Sequence, residues 1–319
     1  MADDPTRIAD VIDPEVLATM VLAELPNNTF LIPGVFTSSE FPIGTFGTVW
    51  EIPYNENLGD LETYDPTVDL SVQDQGQDVY RMIVIRKAAI YGADKIVKLA
   101  AYKDPMDYVT QQLATQVIPD MYMSTQITVL EGAIPTDNRY DGSAGVMRAS
   151  QVRNAKQLLH DKGYRLKSIL MHSKQFGDLE DNDEIVYQPK NTIYPLYGSQ
   201  GNAIGLPPTP ADMVPTVAGL VIFVSDNCTL GGTSPETYVA YLLSPNCMGH
   251  FWQQGLNIDI ERYVKGKQDW ISPDLDFVMC LHGVDYTSTS WTDANLGNTA
   301  NYTLKWDHKL VGAVRLVTL

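Results

Sequence analysis

The sequence predicts an α+β protein, and three features of the 319-residue chain support this class. Residues 104–132 keep the apolar spacing of one long helix. Residues 45–90 hold two strand patterns separated by a polar stretch, and apolar runs typical of strands dominate after residue 191. With 44% hydrophobic and 19% charged residues, the chain is globular and long enough to bury a sizeable core.

The first 40 residues predict a short helix followed by an extended arm. Asp13 stands at the expected N-cap, Pro14 at the first helical position, and Pro26 ends the helix. Proline, glycine and a Ser-Ser pair in residues 27–40 favour extended chain.

Two strand patterns next predict a long β-hairpin. They are TFGTVWEIP at residues 45–53 and VYRMIVIRKAAI at residues 79–90. The intervening residues 55–76 are acidic and without regular pattern, and loops of this length usually have a function. The segment is too polar to bury against its own domain, so we expect it to reach outward.

The longest helix is predicted to start at Asp104, with Pro105 at the first helical position, and to end at Gly132. Pro119 lies in its middle. Proline lacks a backbone N–H and clashes with the preceding turn, so it should kink or break the helix there.

A second helix is predicted over residues 150–163, with Ser150 as its N-cap, followed by a strand over residues 164–171. Next comes His172-Ser173, which raises the alternative of a hydrolase base and nucleophile. Adjacent residues of a strand point to opposite faces, whereas a nucleophile and its base must face each other. We therefore interpret Ser173 as the N-cap of a short helix.

Other enzyme signatures are missing from the sequence: it has no phosphate-binding P-loop, G-x-G-x-x-G, G-x-S-x-G or H-E-x-x-H motif. Cys247-x-x-His250 with Cys280-x-His282 is a weak candidate zinc set, since the second pair lies in an apolar strand pattern where cysteine behaves as a small hydrophobe. The acidic run at residues 178–184 lacks the glycine of a calcium loop and predicts a solvated turn. We predict neither a resident metal nor any other cofactor.

The net charge of −17 is unevenly distributed, because Arg7 is the one Lys or Arg in residues 1–80 while residues 81–103 hold six. An acidic protein gains little from binding DNA phosphates. We expect the acidic part of one copy to contact the basic strip of another. The candidate contact residues are Glu51, Glu56, Asp60, Glu62, Asp65, Asp69, Arg81, Arg86, Lys87, Lys95 and Lys98.

Targeting and redox signals are few. Three cysteines are too few and odd in number for a disulfide framework, which favours a reducing compartment. The N-terminus shows no signal-peptide pattern, and no apolar run approaches the roughly 20 residues needed to span a bilayer.

The order of these elements resembles that of the major capsid proteins of tailed bacteriophages, whose capsid fold is shared with herpesviruses. The resemblance covers almost the whole chain, and order and spacing support it more than any single motif. It includes VIDPEVLATMVLAEL, the hairpin from GTVWEIPY to VYRMIVIRKAAI, KDPMDYVTQQL, ASQVRNAKQLLHDKGYRLKSILMHSKQF, and LHGVDY with KLVGAVRLVTL.

This resemblance implies four regions. Residues 1–40 would form the N-terminal helix and extended arm, and residues 41–89 the extended β-hairpin loop. Residues 90–149 and 283–319 would form a peripheral domain with a long spine helix. Residues 150–282 would form an axial domain with a central β-sheet.

The resemblance also implies a structural role without catalytic residues. The chain would assemble with itself, as hexamers and pentamers, into an icosahedral shell that holds double-stranded DNA loosely. Portal and scaffold or decoration proteins would be its partners, without a membrane, in a virion assembled in the bacterial cytoplasm. The alternatives are a tail-tube or head-decoration protein, which would not need the long helix, and a hydrolase that uses His172 or the Cys/His pairs.

Overall fold

The computed structural model describes residues 36–38, 49–55, 77–94, 112–189, 213–228, 236–263 and 268–319. Three predicted features lie outside these ranges: the N-terminal helix, the acidic segment between the hairpin strands and the start of the long helix. They remain predictions.

The described ranges contain strands that group into two larger sheets and two strand pairs. The strands are β1 (Phe36–Ser38), β2 (Val49–Asn55), β3 (Gln77–Ile83), β4 (Ile85–Ala88), β5 (Tyr91–Asp94), β6 (Arg139–Asp141), β7 (Ser168–Met171), β8 (Val186–Pro189), β9 (Met213–Val217), β10 (Leu220–Val224), β11 (Tyr238–Leu243), β12 (Met248–Tyr263), β13 (Gln268–Leu281), β14 (Val284–Tyr286), β15 (Tyr302–Leu304) and β16 (Ala313–Thr318).

The helices cover the faces and ends of these sheets. They are α1 (Ile118–Ala133), α2 (Ala149–Gln157), α3 (Ser173–Asp181) and α4 (Asp293–Leu296), with a π-helical turn at Leu113–Val117 and 3-10 segments at Thr136–Asn138, His160–Arg165 and Thr299–Asn301. Of the helices in the described ranges, none combines the length and apolar character that a bilayer crossing requires.

Pro119 does not break the described part of the long helix. The π-helical turn at Leu113–Val117 continues directly into α1, and the backbone at residues 117 and 118 stays helical. Proline has no N–H to donate, and it lies in the turn where the hydrogen-bond pattern changes from π to α. Helix α1 ends one residue beyond the predicted Gly132.

Two predicted boundaries need correction. The predicted helix over residues 150–163 is instead α2, followed by the 3-10 segment, so the next strand begins at residue 168 rather than 164. Ser150 does not cap α2, because Arg148 occupies the N-cap position. The Gln151 side-chain oxygen accepts a hydrogen bond from the Arg148 N–H at 3.2 Å.

A seven-stranded sheet has the order β6-β16-β11-β7-β10-β9-β8, and its central strands β16, β11 and β7 are buried on both faces. Alternate residues of β11 enter different clusters: Tyr241 faces α1, whereas Ala240 and Leu242 face α2 and α3. This two-sided burial explains why β7 and β11 are almost continuously apolar.

The second large sheet is built on the long β12–β13 hairpin, with β1 beside β12 and both β4 and β5 beside β13. One face of this hairpin packs on α1, where the rings of Tyr122 and Phe277 have centroids 4.9 Å apart. The other face carries the β2–β3 hairpin. Helix α1 therefore contacts both large sheets.

These pairings change the predicted division into lobes. Strand β16, assigned to the peripheral domain, lies inside the seven-stranded sheet between β6 and β11. Strands β12 and β13, assigned to the axial domain, pair with β4 and β5 instead. We therefore propose that the axial domain takes β16 and that the peripheral domain takes β12 and β13.

Replacing Gly132 by alanine should destabilise the subunit. In a solvent-exposed helix, replacing glycine by alanine stabilises the helix by about 1 kcal/mol. Here a Cβ at residue 132 would lie 2.1 Å from the Leu296 carbonyl oxygen and 2.5 Å from the Tyr302 ring. We expect a net cost of about 1–3 kcal/mol in urea unfolding of the unassembled chain.

Gly177→Ala in α3 is the matched control. A Cβ at residue 177 meets nothing within 4 Å, so this variant should be as stable as the wild type or more so. Equal effects of the two substitutions would contradict the proposed close approach of Gly132 and α4.

Candidate assembly site

The β2–β3 hairpin packs on the face of the β12–β13 sheet opposite α1, and its described strands are firmly held there. Its strands pair from Val49 with Ile83 to Asn55 with Gln77. Below them lies an apolar cluster, with Trp50 and Tyr54 packed at its side. The buried members of this cluster are Tyr80, Met82, Val84, Phe251, Val278 and Cys280.

Polar contacts fix the base of the hairpin to the chain after β13. The Tyr80 hydroxyl lies 2.9 Å from His282 Nδ1, and Lys305 Nζ lies 2.9 Å from Asp78 Oδ2. The hydrogen bonds from Lys305 and from the Val79 N–H hold the pKa of the Asp78 carboxyl below its usual value. The described strands of the hairpin are therefore held in a defined position.

Trp306 completes this base. Its ring meets Tyr54 and Tyr80 edge-on, with centroid distances of 6.2 and 6.5 Å. The approach requires glycine at residue 283, because φ is +83° there and a Cβ would lie 2.4 Å from the Trp306 ring.

The predicted contact residues in the described ranges already form ion pairs within one chain. Arg81 Nε lies 3.1 Å from Glu51 Oε1 across the hairpin, and both side chains are more than half exposed. Arg86 pairs with Asp276 at 3.6 Å, and Lys87 with Asp293 at 2.8 Å. Glu56, Asp60, Glu62, Asp65, Asp69, Lys95 and Lys98 lie outside the described residues.

The contact of a basic strip with a neighbouring copy remains a proposal. At Arg86 and Lys87 the strip also makes ion pairs within one chain. Glu51 and Arg81 are exposed enough to contact another copy as well, so that part remains a proposal.

The four Cys and His residues of the candidate zinc set do not converge. His250 faces the α1 side, with its ring 5.7 Å from Tyr122 and 5.8 Å from Phe277, while Cys280 belongs to the cluster under the hairpin. Burial raises the pKa of the Cys247 and Cys280 thiols to about 12, which keeps them protonated. Across the residues with a described position, no group of three or more His, Cys, Asp or Glu side chains could hold a metal ion.

His172, not Ser173, is the N-cap of α3. His172 Nδ1 accepts a hydrogen bond from the Lys174 N–H at 3.0 Å, and the Gln175 side chain accepts one from the His172 N–H at 3.1 Å. Ser173 is the first helical residue, and its hydroxyl and N–H lower the pKa of the Asp226 carboxyl. The imidazole thus bonds to backbone rather than to the serine hydroxyl, as the structural interpretation of this pair requires.

An ion network that the sequence analysis missed lies where α1 meets the seven-stranded sheet. Glu131 Oε2 accepts hydrogen bonds from Arg315 Nε at 2.7 Å and from the Tyr241 hydroxyl at 3.0 Å, while Arg139 lies 3.5 Å from Glu131 Oε1. Arg139 also donates to the backbone carbonyls of Glu131 and Ile134. The sequence does contain one sign of this network, because Arg315 is a charged residue within the apolar run AVRLV.

Replacing His172 by alanine should destabilise the chain by about 1 kcal/mol, because the cap of α3 is lost. Chemical unfolding of the unassembled chain measures this cost. Asn at residue 172, a strong N-cap residue, should restore most of the stability. If alanine at residue 172 costs nothing, the assigned cap is wrong.

Acid should destabilise the subunit partly through His250. Burial lowers the pKa of His250 from 6.5 to about 4. Between these values the unfolded chain binds a proton that the folded chain does not, so stability falls as pH decreases from 6.5 to about 4. We expect His250→Phe to remove up to roughly 3 kcal/mol of this pH dependence.

The measurement is the free energy of unfolding of both proteins at several pH values. The difference between pH 7 and pH 4 is compared, so a constant packing cost of phenylalanine cancels. An unchanged pH dependence in the variant would show that His250 is not the group responsible.

Comparison with known proteins identifies the fold of the chain. No protein-family model and no curated protein matches the chain. The "Capsid of Ralstonia phage GP4" aligns with a TM-score of 0.58 at 9% identity, over 89% of this chain and 87% of that chain. The "Acidic stable capsid structure of Helicobacter pylori bacteriophage KHP30" aligns at 0.54 and 11% identity, over 90% and 89%.

A chain from a structure titled "Mycobacterium phage Bobi" aligns at 0.56 and 11% identity, over 94% of this chain and 90% of that chain. Such alignments cover the whole architecture rather than one sheet. The chain therefore has the fold of phage capsid subunits.

Proposed function

We propose that this chain is a structural major capsid protein, which assembles with itself into an icosahedral shell around the double-stranded DNA of a tailed bacteriophage. The observation that carries the proposal is the fold, which matches capsid structures over about nine-tenths of both chains. The chain would act in the virion and assemble in the cytoplasm of the host bacterium.

The geometry of the hairpin supports self-assembly. A shell subunit needs rigid parts that reach its neighbours, so that many weak contacts add up. The β2–β3 strands are held by the Tyr80–His282 and Lys305–Asp78 contacts, so contacts that these strands made with a neighbouring copy would need little further ordering. Hexamers and pentamers would form through such contacts.

The polar groups described above support a structural rather than a catalytic role. The His172 imidazole caps a helix, the Glu131 carboxylate joins α1 to two strands, and buried cysteine thiols stay protonated. Each of these groups stabilises the fold. We therefore assign no catalytic residue.

The charge of the chain supports loose contact with the genome. At −17, the subunit repels phosphate over much of its surface, which suits a wall that surrounds DNA without binding it tightly. Portal and scaffold or decoration proteins would complete the particle.

Electron microscopy of the purified chain, alone and coexpressed with its scaffold, tests the proposal. We expect closed shells of uniform size. Tubes would indicate a tail-tube protein. A chain that stays a small monomer under every assembly condition would contradict the capsid function.

The same images at increasing NaCl test the electrostatic part. If exposed charges such as Glu51 and Arg81 contribute between copies, shell yield should fall as salt screens them. An unchanged yield would restrict assembly to uncharged contacts and leave the shell proposal intact.

A further inference from the structure

A cavity of about 500 Å³ opens at the junction of the two large sheets. Its walls come from four parts of the chain: the 3-10 segment and the start of β7, the β11–β12 turn, the end of β13, and the stretch after β15. The lining residues on which the argument depends are Tyr164, Arg165, Lys167, Cys247, His282 and Trp306.

The charge of this cavity differs from that of the chain. Arg165 and Lys167 lie in its wall and no lining residue is acidic, although the chain as a whole carries −17. Burial and, secondarily, the charge of Lys167 lower the pKa of Lys156, so a third cation lies close enough to Lys167 to interact with it.

Among the described residues, these two cations have no acidic partner. Asp161 lies 3.2 Å from Lys162, and Asp307 lies 3.1 Å from His308. In the part of the chain that the structure describes, no carboxylate pairs with Arg165 or Lys167, and both residues are exposed. This contrasts with Arg86 and Lys87, which are paired within the subunit.

The wall also offers apolar contact. Tyr164 is 66% exposed at the cavity, and Trp306 lines it from the base of the hairpin. Cations beside exposed aromatic rings suit a ligand that alternates carboxylates with apolar side chains. An isolated inorganic anion would leave the rings unused, and a DNA duplex would bring its phosphates against an acidic surface.

We propose that this cavity binds an acidic segment of a second copy of the chain. The inference rests on the proposed shell function and adds the site through which like-charged copies attract each other. The occupant is inferred from charge, because the cations of the cavity wall are complementary to an acidic segment. Residues 56–76 contain six Asp or Glu, no Lys, Arg or His, and apolar residues between the acids, so they provide the probe.

The test measures binding of a fluorescent peptide with the sequence of residues 56–76 to the full unassembled chain. Fluorescence anisotropy should show saturable binding that weakens as NaCl increases. A peptide in which every Asp and Glu is replaced by Asn and Gln should bind much more weakly. The double variant Arg165→Glu/Lys167→Glu should lose at least about tenfold in affinity, since both attractive charges change sign.

The double variant Arg148→Glu/Arg153→Glu is the matched control. It makes the same change in net charge at two exposed residues outside the cavity, and it should keep affinity within about threefold. Arg165→Gln/Lys167→Gln provides a milder cavity variant, and thermal unfolding verifies that each variant is folded.

Three results would overturn the inference: wild-type affinity in the cavity variants, an equal loss in the control, or tighter binding of inorganic phosphate or a DNA duplex than of the peptide. Electron microscopy separates this failure from that of the shell function. If the wild type forms shells but the substitutions at Arg165 and Lys167 leave the peptide affinity unchanged, the cavity inference alone fails. If the wild type forms no shells, the capsid function fails whatever the peptide does.

Discussion

Helix α1 packs against both large sheets, and the position of each sheet depends on this shared contact. Tyr122 in its first half packs on Phe277 of β13, while Leu130 near its end belongs to the same cluster as Tyr241 of β11. Protein interiors are close-packed, so neither sheet can slide along the helix without opening a void. The two sheets are thus fixed relative to each other through one helix.

The Glu131 network strengthens this arrangement at the end of α1. Its carboxylate receives hydrogen bonds from β16 and β11, and Arg139 connects it to β6. Removing water from such charges is costly, and a partner lost from the network would leave an uncompensated charge in a partly buried place. We infer that the network favours one docking of helix on sheet over alternatives with similar apolar burial.

The electrostatics of the molecule separate into internal and available charges. Three of the cations predicted to attract a neighbour, Arg81, Arg86 and Lys87, have a described position, and each makes an ion pair within its own chain. Arg165 and Lys167, which no sequence pattern singled out, line a cavity without acidic side chains. Two copies with a net charge of −17 repel each other at long range, so the proposed self-assembly would need local sites of opposite charge.

Much of the architecture was present in local sequence. Alternation in TFGTVWEIP and VYRMIVIRKAAI predicted the paired strands β2 and β3, and the missing N–H of Pro119 marked the place where the helix changes from π to α hydrogen bonding. These features depend on side-chain period and backbone chemistry within a few residues, which a single sequence shows directly. The capsid fold instead came from a resemblance of the order of elements to that of a known family.

The other features depend on contacts between distant parts of the chain, which only the tertiary structure shows. It placed β16 in the seven-stranded sheet, moved β12 and β13 to the other sheet, and put His250 and Cys280 on opposite faces. It also made His172 the cap in place of Ser173. An apolar strand can pair with any edge of matching length, and a side chain can cap or pair wherever a donor comes within reach. Sequence sets each residue's chemistry, but distances between residues far apart in the chain follow from how the sheets pack.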